Sequence, residues 1–346
     1  MTTLEWNEGR RRLRDHQPVS RGRERWSAPR RVAMGAFLLR RTALLVPVVI
    51  GITLAVFLLI RLIPGDPARV LLGIHATPDA IAALHKTMGL DRSLAAQYFI
   101  FLKGLIRGQL GYSYFFSEGV ADLVLARIGP TLFLIGYATV LTVLIAFPSA
   151  ILAALKPNSI WDQAVRFVSI FGIGLPGYWL GVVLVYAFAI AIPILPVAGY
   201  GESIGEHFTF LLLPSLTIAV SLVPLVLRAL RASVMETLRA GYVDTARAKG
   251  LAWHRVMRRH VVRNALMPAV TVLALNIGYL IGGTVIIENV FAIPGLGSLM
   301  ILSIGTRDYP TIQAVTLVFA ILVVLVNLAT DLIYVVLDPR IRAVIR

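Results

Sequence analysis

Cysteine is absent from all 346 residues. That excludes a disulfide framework, a thiolate metal site and a cysteine nucleophile. Charge is scarce too: 15 % of residues are Asp, Glu, Lys or Arg, against about a quarter in soluble globular domains. No Gly-x-x-x-x-Gly-Lys-Ser/Thr sequence occurs, so the chain offers no P-loop for nucleotide phosphates. No His-Glu-x-x-His pair occurs either, and the six histidines (His16, His75, His85, His207, His254 and His260) are scattered. His75 and His85 share a segment but lack the further donors of a metal site. No catalytic residue, metal site or resident cofactor is assigned to this chain.

Apolar residues make up the difference. They are 58 % of the chain, with a mean hydropathy of +0.80. That surplus exceeds what a soluble core can hold, so a bilayer is the expected solvent. Crossing about 30 Å of hydrocarbon takes about 20 helical residues. Six regions are long and uncharged enough: 42–60, 128–155, 167–192, 208–227, 264–287 and 309–337, the last with Asp331 near its end. The expected fold is therefore an all-α membrane protein of six helices with both termini on one side.

The net charge of +15 first suggests nucleic acid. Its distribution points instead to membrane topology, and no nucleic-acid partner is expected. With a cytoplasmic N-terminus, twenty-five Lys and Arg fall inside and seven outside, six of those seven in one long loop, with Arg61 at the outer end of the first span. The positive-inside rule then predicts cytoplasmic N- and C-termini. Residues 1–36 are Arg-rich and poor in apolar residues, which predicts a disordered cytoplasmic tail drawn to anionic headgroups. Residues 62–127 form the external loop, with six basic and five acidic residues. Within it, Pro78 to Met88 and Leu94 to Ile106 read as short helices, and Pro64-Gly65-Asp66-Pro67 as a turn.

Few ionisable groups fall in the spans. Glu288 lies at the outer end of the fifth. Asn327, Asp331, Tyr334 and Asp338 recur on one face of the sixth. Asn327 and Asp331 are assigned to helix packing or contact with another subunit. The segment 228–263 is more telling, with Val234, Leu238, Val243, Ala246, Leu251 and Val256 spaced among arginines as in a helix. Asp244 suits a helix start, Gly250 a helix end, and small residues at 245, 246 and 248 allow another surface to approach closely. The composition fits two roles: docking into a groove on a cytoplasmic protein, or resting on lipid headgroups.

Asp244-Thr245-Ala246 followed by Gly250 resembles the Glu-Ala-Ala-x-x-x-Gly loop of permease subunits of binding-protein-dependent ABC importers. The run Tyr242 to Pro268 is similar to their dipeptide/oligopeptide/nickel branch, of the dipeptide permease B type. So are Ile63-Pro64-Gly65-Asp66-Pro67, Gly108-Gln109-Leu110-Gly111, Glu288-Asn289-Val290-Phe291-Ala292-Ile293-Pro294-Gly295-Leu296-Gly297, Arg307-Asp308-Tyr309-Pro310 and Asp338-Pro339-Arg340. Asp244 stands where the family has glutamate, and Thr245 where it has alanine. The resemblance covers about residues 38–346; the tail before it matches nothing.

The resemblance implies a type I importer transmembrane domain over 37–346, in a bacterial inner membrane. Its ATPase-coupling loop (228–263) would act through Tyr242, Asp244, Thr245, Ala246, Ala248, Lys249 and Gly250. It also implies a second, homologous permease (a heterodimer), two cytoplasmic ATPase subunits that bind ATP and Mg, and an external substrate-binding protein. Dipeptides or oligopeptides are the expected cargo; nickel chelates, glutathione or other small peptide-like solutes are alternatives. A stand-alone secondary transporter would instead need mid-membrane ionisable sites and inverted repeats. A membrane scaffold without transport is the third alternative.

Overall fold

The computed structural model describes residues 47–62 and 65–337. The Arg-rich tail, the turn residues Ile63 and Pro64, Asp338 and the C-terminal arginines lie outside the described residues. Helix α1 is Pro47–Leu62. A loop subdomain comes next, made of α2 (Pro67–Leu72), α3 (Pro78–Met88), α4 (Leu94–Ile106) and a small hairpin, β1 (Tyr112–Ser113) with antiparallel β2 (Glu118–Gly119). The bundle continues with α5 (Val120–Leu155), α6 (Ile160–Gly174) and α7 (Gly177–Val185), which runs on as a π-helical turn, Tyr186–Ala191. Then come α8 (Ile204–Phe210), α9 (Leu212–Leu238) and α10 (Gly241–Ala248). Helix α11 (Trp253–Val256) passes through a π turn, Met257–Val262, into α12 (Arg263–Val290). Helices α13 (Leu296–Thr306) and α14 (Tyr309–Leu337) complete the described chain.

Among the described residues, four continuous helical stretches are long and apolar enough to cross a bilayer: α5, α9, the run Trp253–Val290, and Tyr309–Tyr334 within α14. Helix α9 is the central one, with 61 % of its apolar window buried. Its main partner is α5, where Leu134, Ala138, Thr142, Ala146, Ala150 and Ala154 are all buried at intervals of four. A ridge of small residues at that spacing lets two helix backbones approach closely. Ala146, Ala150 and Ala154 pack with Val223, Val226 and Leu230 of α9 in one apolar cluster.

Helix boundaries depart from the apolar runs in four places. The second span starts at Val120, eight residues ahead of its apolar run, so 120–127 is helix and not loop. The third region is not one helix. Leu175 is extended and Pro176 caps α7, because a residue before proline is driven out of the helical region. Around that break α6 presses on α9: a side chain at Gly172 would lie 2.7 Å from Pro224 Cγ. The fourth span continues to Leu238 and the fifth begins at Trp253, so most of 228–263 is helix in line with the spans. Arginine ends the apolar window but not the helix, since it is a good helix former and extends into water. In the external loop, α3 and α4 form with the expected bounds, each N-capped by a hydroxyl that accepts from the backbone, Thr77 from Ala80 N and Ser93 from Ala96 N.

Two of the motif runs prove to be joints. Glu288 is fully buried. Its carboxylate accepts from Thr131 Oγ1 (2.7 Å), Gly297 N (2.7 Å) and Ser298 N (3.0 Å), closing the N-terminus of α13. Thr131 Oγ1 in turn accepts from Leu296 N at 2.8 Å. A side chain at Gly297 would lie 2.5 Å from Val285 Cα, and one at Gly295 would fall on the Glu288 carboxylate. Asp308 is the second joint. It accepts from Ser113 Oγ (2.5 Å) and Thr311 Oγ1 (2.6 Å), pinning the hairpin to the start of α14. Nearby, Gly65 (φ +123) makes room for the Arg307 guanidinium.

Glu288→Ala strands three buried donors and is expected to destabilise the chain by about 3 kcal/mol. Thermal unfolding in detergent checks this; an unchanged midpoint would remove Glu288 as the joint of α5, α12 and α13.

Candidate functional site: a short helix clamped to the ends of two spans

At the bundle end opposite the loop subdomain, α9 stops at Leu238 and α10 runs from Gly241 to Ala248. Two residues anchor α10. Val243 and Ala246 are buried in a cluster with Val234 of α9 and Val256, Val261 and Ala265 of the stretch that opens the fifth span. Their i, i+3 spacing puts them on one face. Ala246 therefore faces the chain's own core, unlike its small neighbour Ala248. Tyr242, Asp244, Thr245, Ala248, Lys249 and Gly250 are exposed.

Side-chain contacts bind α10 to the helices on its C-terminal side. Asn264 Nδ2 donates to Tyr242 Oη at 3.1 Å, tying α10 to the first turn of α12. The Arg247 guanidinium lies 4.5 Å from the centre of the Trp253 ring. Gly250 has φ +75 and donates its N–H to Arg247 O at 2.9 Å, and Leu251 N reaches Ala246 O at 3.3 Å. This left-handed turn reverses the chain between α10 and α11, and no neighbour lies near enough to a Gly250 side chain to clash. The need for glycine here is purely conformational. Asp244 sits in the first turn of α10, where a carboxylate complements the helix dipole.

A second cluster escaped the sequence reading. Asp162, in the first turn of α6, is fully buried and takes a two-pronged bond from Arg231 of α9, Nε to Oδ1 at 2.5 Å and Nη2 to Oδ2 at 2.9 Å. Arg166 Nη2 (2.5 Å) and Asn158 N (2.9 Å) add further bonds to Oδ2. Asp162 lies ahead of the apolar run that starts at Phe167. The Arg231 bonds, with those from Asn158 and Arg166, outweigh the opposing effect of burial and hold its carboxyl down to about 2. The local signal is Ser159, whose Oγ accepts from Asp162 N at 3.2 Å and starts the helix. Asp162 thus links α6 to α9 two turns before α9 ends.

On the sixth span, Tyr334 Oη donates to Thr271 Oγ1 of α12 at 2.5 Å, so this part of the stripe packs within the bundle. Asp331 is half-buried and Asn327 is exposed on this chain. Among the described residues, no group of three or more His, Cys, Asp or Glu is placed to hold a metal.

The chain is thus a multi-span bundle that presents a short clamped helix at one end. Residues 146–343 match the model of the binding-protein-dependent transport system inner membrane component, and residues 34–135 match the N-terminal model of such membrane components. The chain belongs to that family, the permease subunits of ATP-driven ABC importers. It is 36 % identical to the "Probable peptide ABC transporter permease protein y4tP" of Sinorhizobium fredii, over 89 % of this chain and 100 % of that one. It is 35 % identical to the glutathione transport system permease protein GsiC of Escherichia coli, over 88 % of this chain and 98 % of that one. To the dipeptide transport system permease protein DppB of Alkalihalophilus pseudofirmus it is 33 % identical, over 89 % and 100 %. The fold resembles that of a chain in the inward-facing MetNI methionine ABC transporter, with a TM-score of 0.51, 20 % identity, and coverage of 62 % of this chain and 96 % of that one.

Because the folded-state value of Asp162 lies below its ordinary 3.8, its carboxylate stabilises the fold above about pH 4, and this contribution fades as pH falls towards 2. Asp162→Ala is expected to cost about 3 kcal/mol, by leaving Arg231 without its partner. Thermal unfolding of both proteins against pH checks this: the gap between them should narrow as the medium is acidified below pH 4, and a constant gap contradicts it.

Proposed function

We propose that this chain is the permease through which a peptide importer passes dipeptides or oligopeptides, with glutathione or another small peptide-like solute as the alternative cargo. The named relatives support the cargo class. The termini are cytoplasmic, the loop subdomain (65–119) is external, and α10 lies at the cytoplasmic face of a bacterial inner membrane. The asymmetry of Lys and Arg supports this orientation. The exposed face of α10, with Tyr242, Asp244, Thr245, Ala248 and Lys249, docks on a cytoplasmic ATPase subunit. Two such subunits bind ATP and Mg; a second homologous permease and an external binding protein complete the assembly.

The observation that carries this reading is the clamp on α10. A helix fixed by Val243, Ala246 and the Tyr242–Asn264 bond cannot move alone. A push on its exposed face is delivered to α9 and α12 together, and through Arg231 and Asp162 to α6. ATP binding elsewhere can then bias two arrangements of the spans, which is what alternating access requires. Asn327 and Asp331 would lie against the second permease or neighbouring helices.

Tagged full-length chain solubilised from its native membrane is expected to retain a second permease and P-loop ATPases. Gly250→Val forces a β-branched residue to φ +75 and is expected to abolish ATP-driven uptake while the protein stays in the membrane; Gly250→Asn, which tolerates that conformation, should keep most of it. Normal uptake by the valine variant removes the coupling role, and recovery of the chain alone, where known complexes survive, removes the importer assembly.

The absence of cysteine allows a clean test of sidedness. In spheroplasts, a membrane-impermeant maleimide should label Thr87→Cys, and should reach Ala248→Cys only after permeabilisation. The opposite pattern inverts the topology.

A further inference from the structure

A cavity of about 610 Å³ opens between the loop subdomain and the ends of α1 and α14. Its size falls in the range of pockets that hold small-molecule ligands. Its lining carries five cations, Arg61, Lys86, Arg92, Lys103 and Arg107, and no Asp or Glu. Arg61 is partly engaged: it donates to Gln97 Oε1 and to Phe57 O, and its guanidinium stacks on the Phe57 ring. Among the described residues, no carboxylate lies within ion-pair distance of Lys86, Arg92, Lys103 or Arg107. Of the neighbouring acids, Asp66 is occupied by His85 at 2.8 Å and Asp308 by Ser113 and Thr311, while Asp91, next to Arg92, is exposed and is not part of the lining. Five like charges around one concavity, with no counter-charge from its lining, need an anion from elsewhere.

The flank of the cavity says which kind. Helix α4 has no buried residue and a single charge, Lys103, before its C-cap. Phe99 is 69 % exposed and Ile106 87 %. Nor does α4 stand clear of the spans. Tyr98 Oη lies 3.2 Å from Thr53 Oγ1 and 3.3 Å from Ile50 O, and its ring centre 5.2 Å from that of Phe57, which puts the N-terminal part of α4 along the middle of α1. Further along α1, Leu58, Leu59 and Leu62 are exposed. Exposed apolar side chains of α4 and α1 thus accompany a cavity that carries five cations. A soluble anion would need only the cations, whereas an anionic phospholipid uses both parts.

We infer that this cavity binds the phosphate headgroup of an anionic phospholipid, with its acyl chains along the exposed faces of α4 and α1. Lys103 and Arg107, at the C-terminal end of α4, make charge-assisted hydrogen bonds to the phosphate, together with Lys86 and Arg92 from the rest of the lining. The orientation proposed above decides only that the leaflet is the outer one; the binding does not depend on it. A lipid wedged there fastens the loop subdomain to the first span.

The test uses the assembled complex in detergent, delipidated and titrated with phosphatidylglycerol or phosphatidylcholine of the same acyl chains, with bound lipid read by native mass spectrometry. Phosphatidylglycerol should be retained in preference. Lys103→Ala combined with Arg107→Ala should weaken it about tenfold or more. Lys103→Arg with Arg107→Lys, which keeps the charge, should largely preserve it, as should Lys156→Ala at the other end of the bundle. Equal retention of the two lipids overturns the inference, as does undiminished phosphatidylglycerol on the alanine pair. Displacement by millimolar inorganic phosphate would make it a soluble-anion site, and displacement by a dipeptide a cargo site; either outcome also overturns it. None of these readouts involves uptake, so a failure here is distinct from a failure of the importer reading.

Discussion

A carboxylate buried at the end of a membrane helix is costly unless it is hydrogen-bonded. Glu288 meets that condition with three donors from two places in the chain, the Thr131 hydroxyl and the adjacent backbone N–H groups of Gly297 and Ser298. Thr131 does double duty by accepting from Leu296 N. The turn after α12 is therefore held in one conformation, and the rest of the loop end depends on it. Phe291 and Ile293 are driven into the apolar cluster with Leu134, Leu211 and Leu213. The Phe291 carbonyl accepts from Gly199 N at 2.8 Å, fixing the segment between α7 and α8. Helix α13 then leads into Asp308, which holds the hairpin. Removing the anion would loosen five segments at once, because each is placed by the one before it.

The other end of the bundle is built differently. Its anchors, Asp162, Val243 and Ala246, are buried as well, but the short helix they help to hold keeps one face exposed. The Asp162–Arg231 pair joins α6 to α9, Val243 and Ala246 join α10 to both neighbours, and Tyr242 joins it to α12. Helices α9 and α12 run on past the apolar windows of their spans, so a displacement at their ends is carried along rigid rods rather than lost in a loop. A loop of the same length would take up the motion in backbone dihedrals. The contrast is between a joint sealed on all sides at one end and a clamped helix with an open face at the other.

Much of this is legible in the residues, for physical reasons that differ by element. Helices α3 and α4 announce themselves by Thr77-Pro78 and Ser93, caps that act locally. Gly250 is legible because a left-handed turn excludes side chains whatever surrounds it. The break at Leu175-Pro176 is hidden because 167–192 reads as one apolar run, and proline inside membrane helices is often tolerated, as Pro130, Pro148, Pro224 and Pro268 are here. The lengths of α9 and α12 are hidden because charge marks the end of hydrocarbon, which is not the end of a helix. The sequence puts Glu288 at a span end, where it is, but its partners lie as far as 157 residues away, and pairing at that range leaves no local trace. Asp162 and Arg231, 69 residues apart, share that reason.

The break in the third region constrains what surrounds this chain. Helix α7 begins without a side-chain cap, and Gly174, Leu175, Pro176, Tyr178 and Trp179 are exposed. Its level is set by α9, since Gly172 packs on Pro224 and a side chain at Gly177 would meet Ser221. Pro224 and Ser221 both precede Arg228, where the apolar run of α9 ends, so the break lies within the apolar part of the bundle, towards its clamped end. Hydrocarbon cannot satisfy the amide and carbonyl groups that an interrupted helix leaves open, and irregular backbone at that depth persists only against protein or water. The face that carries Tyr178 and Trp179 therefore belongs to an interface or an aqueous passage and not to the lipid. A protein surface or water across that face would complete the hydrogen bonding that the break leaves open, whereas acyl chains could not.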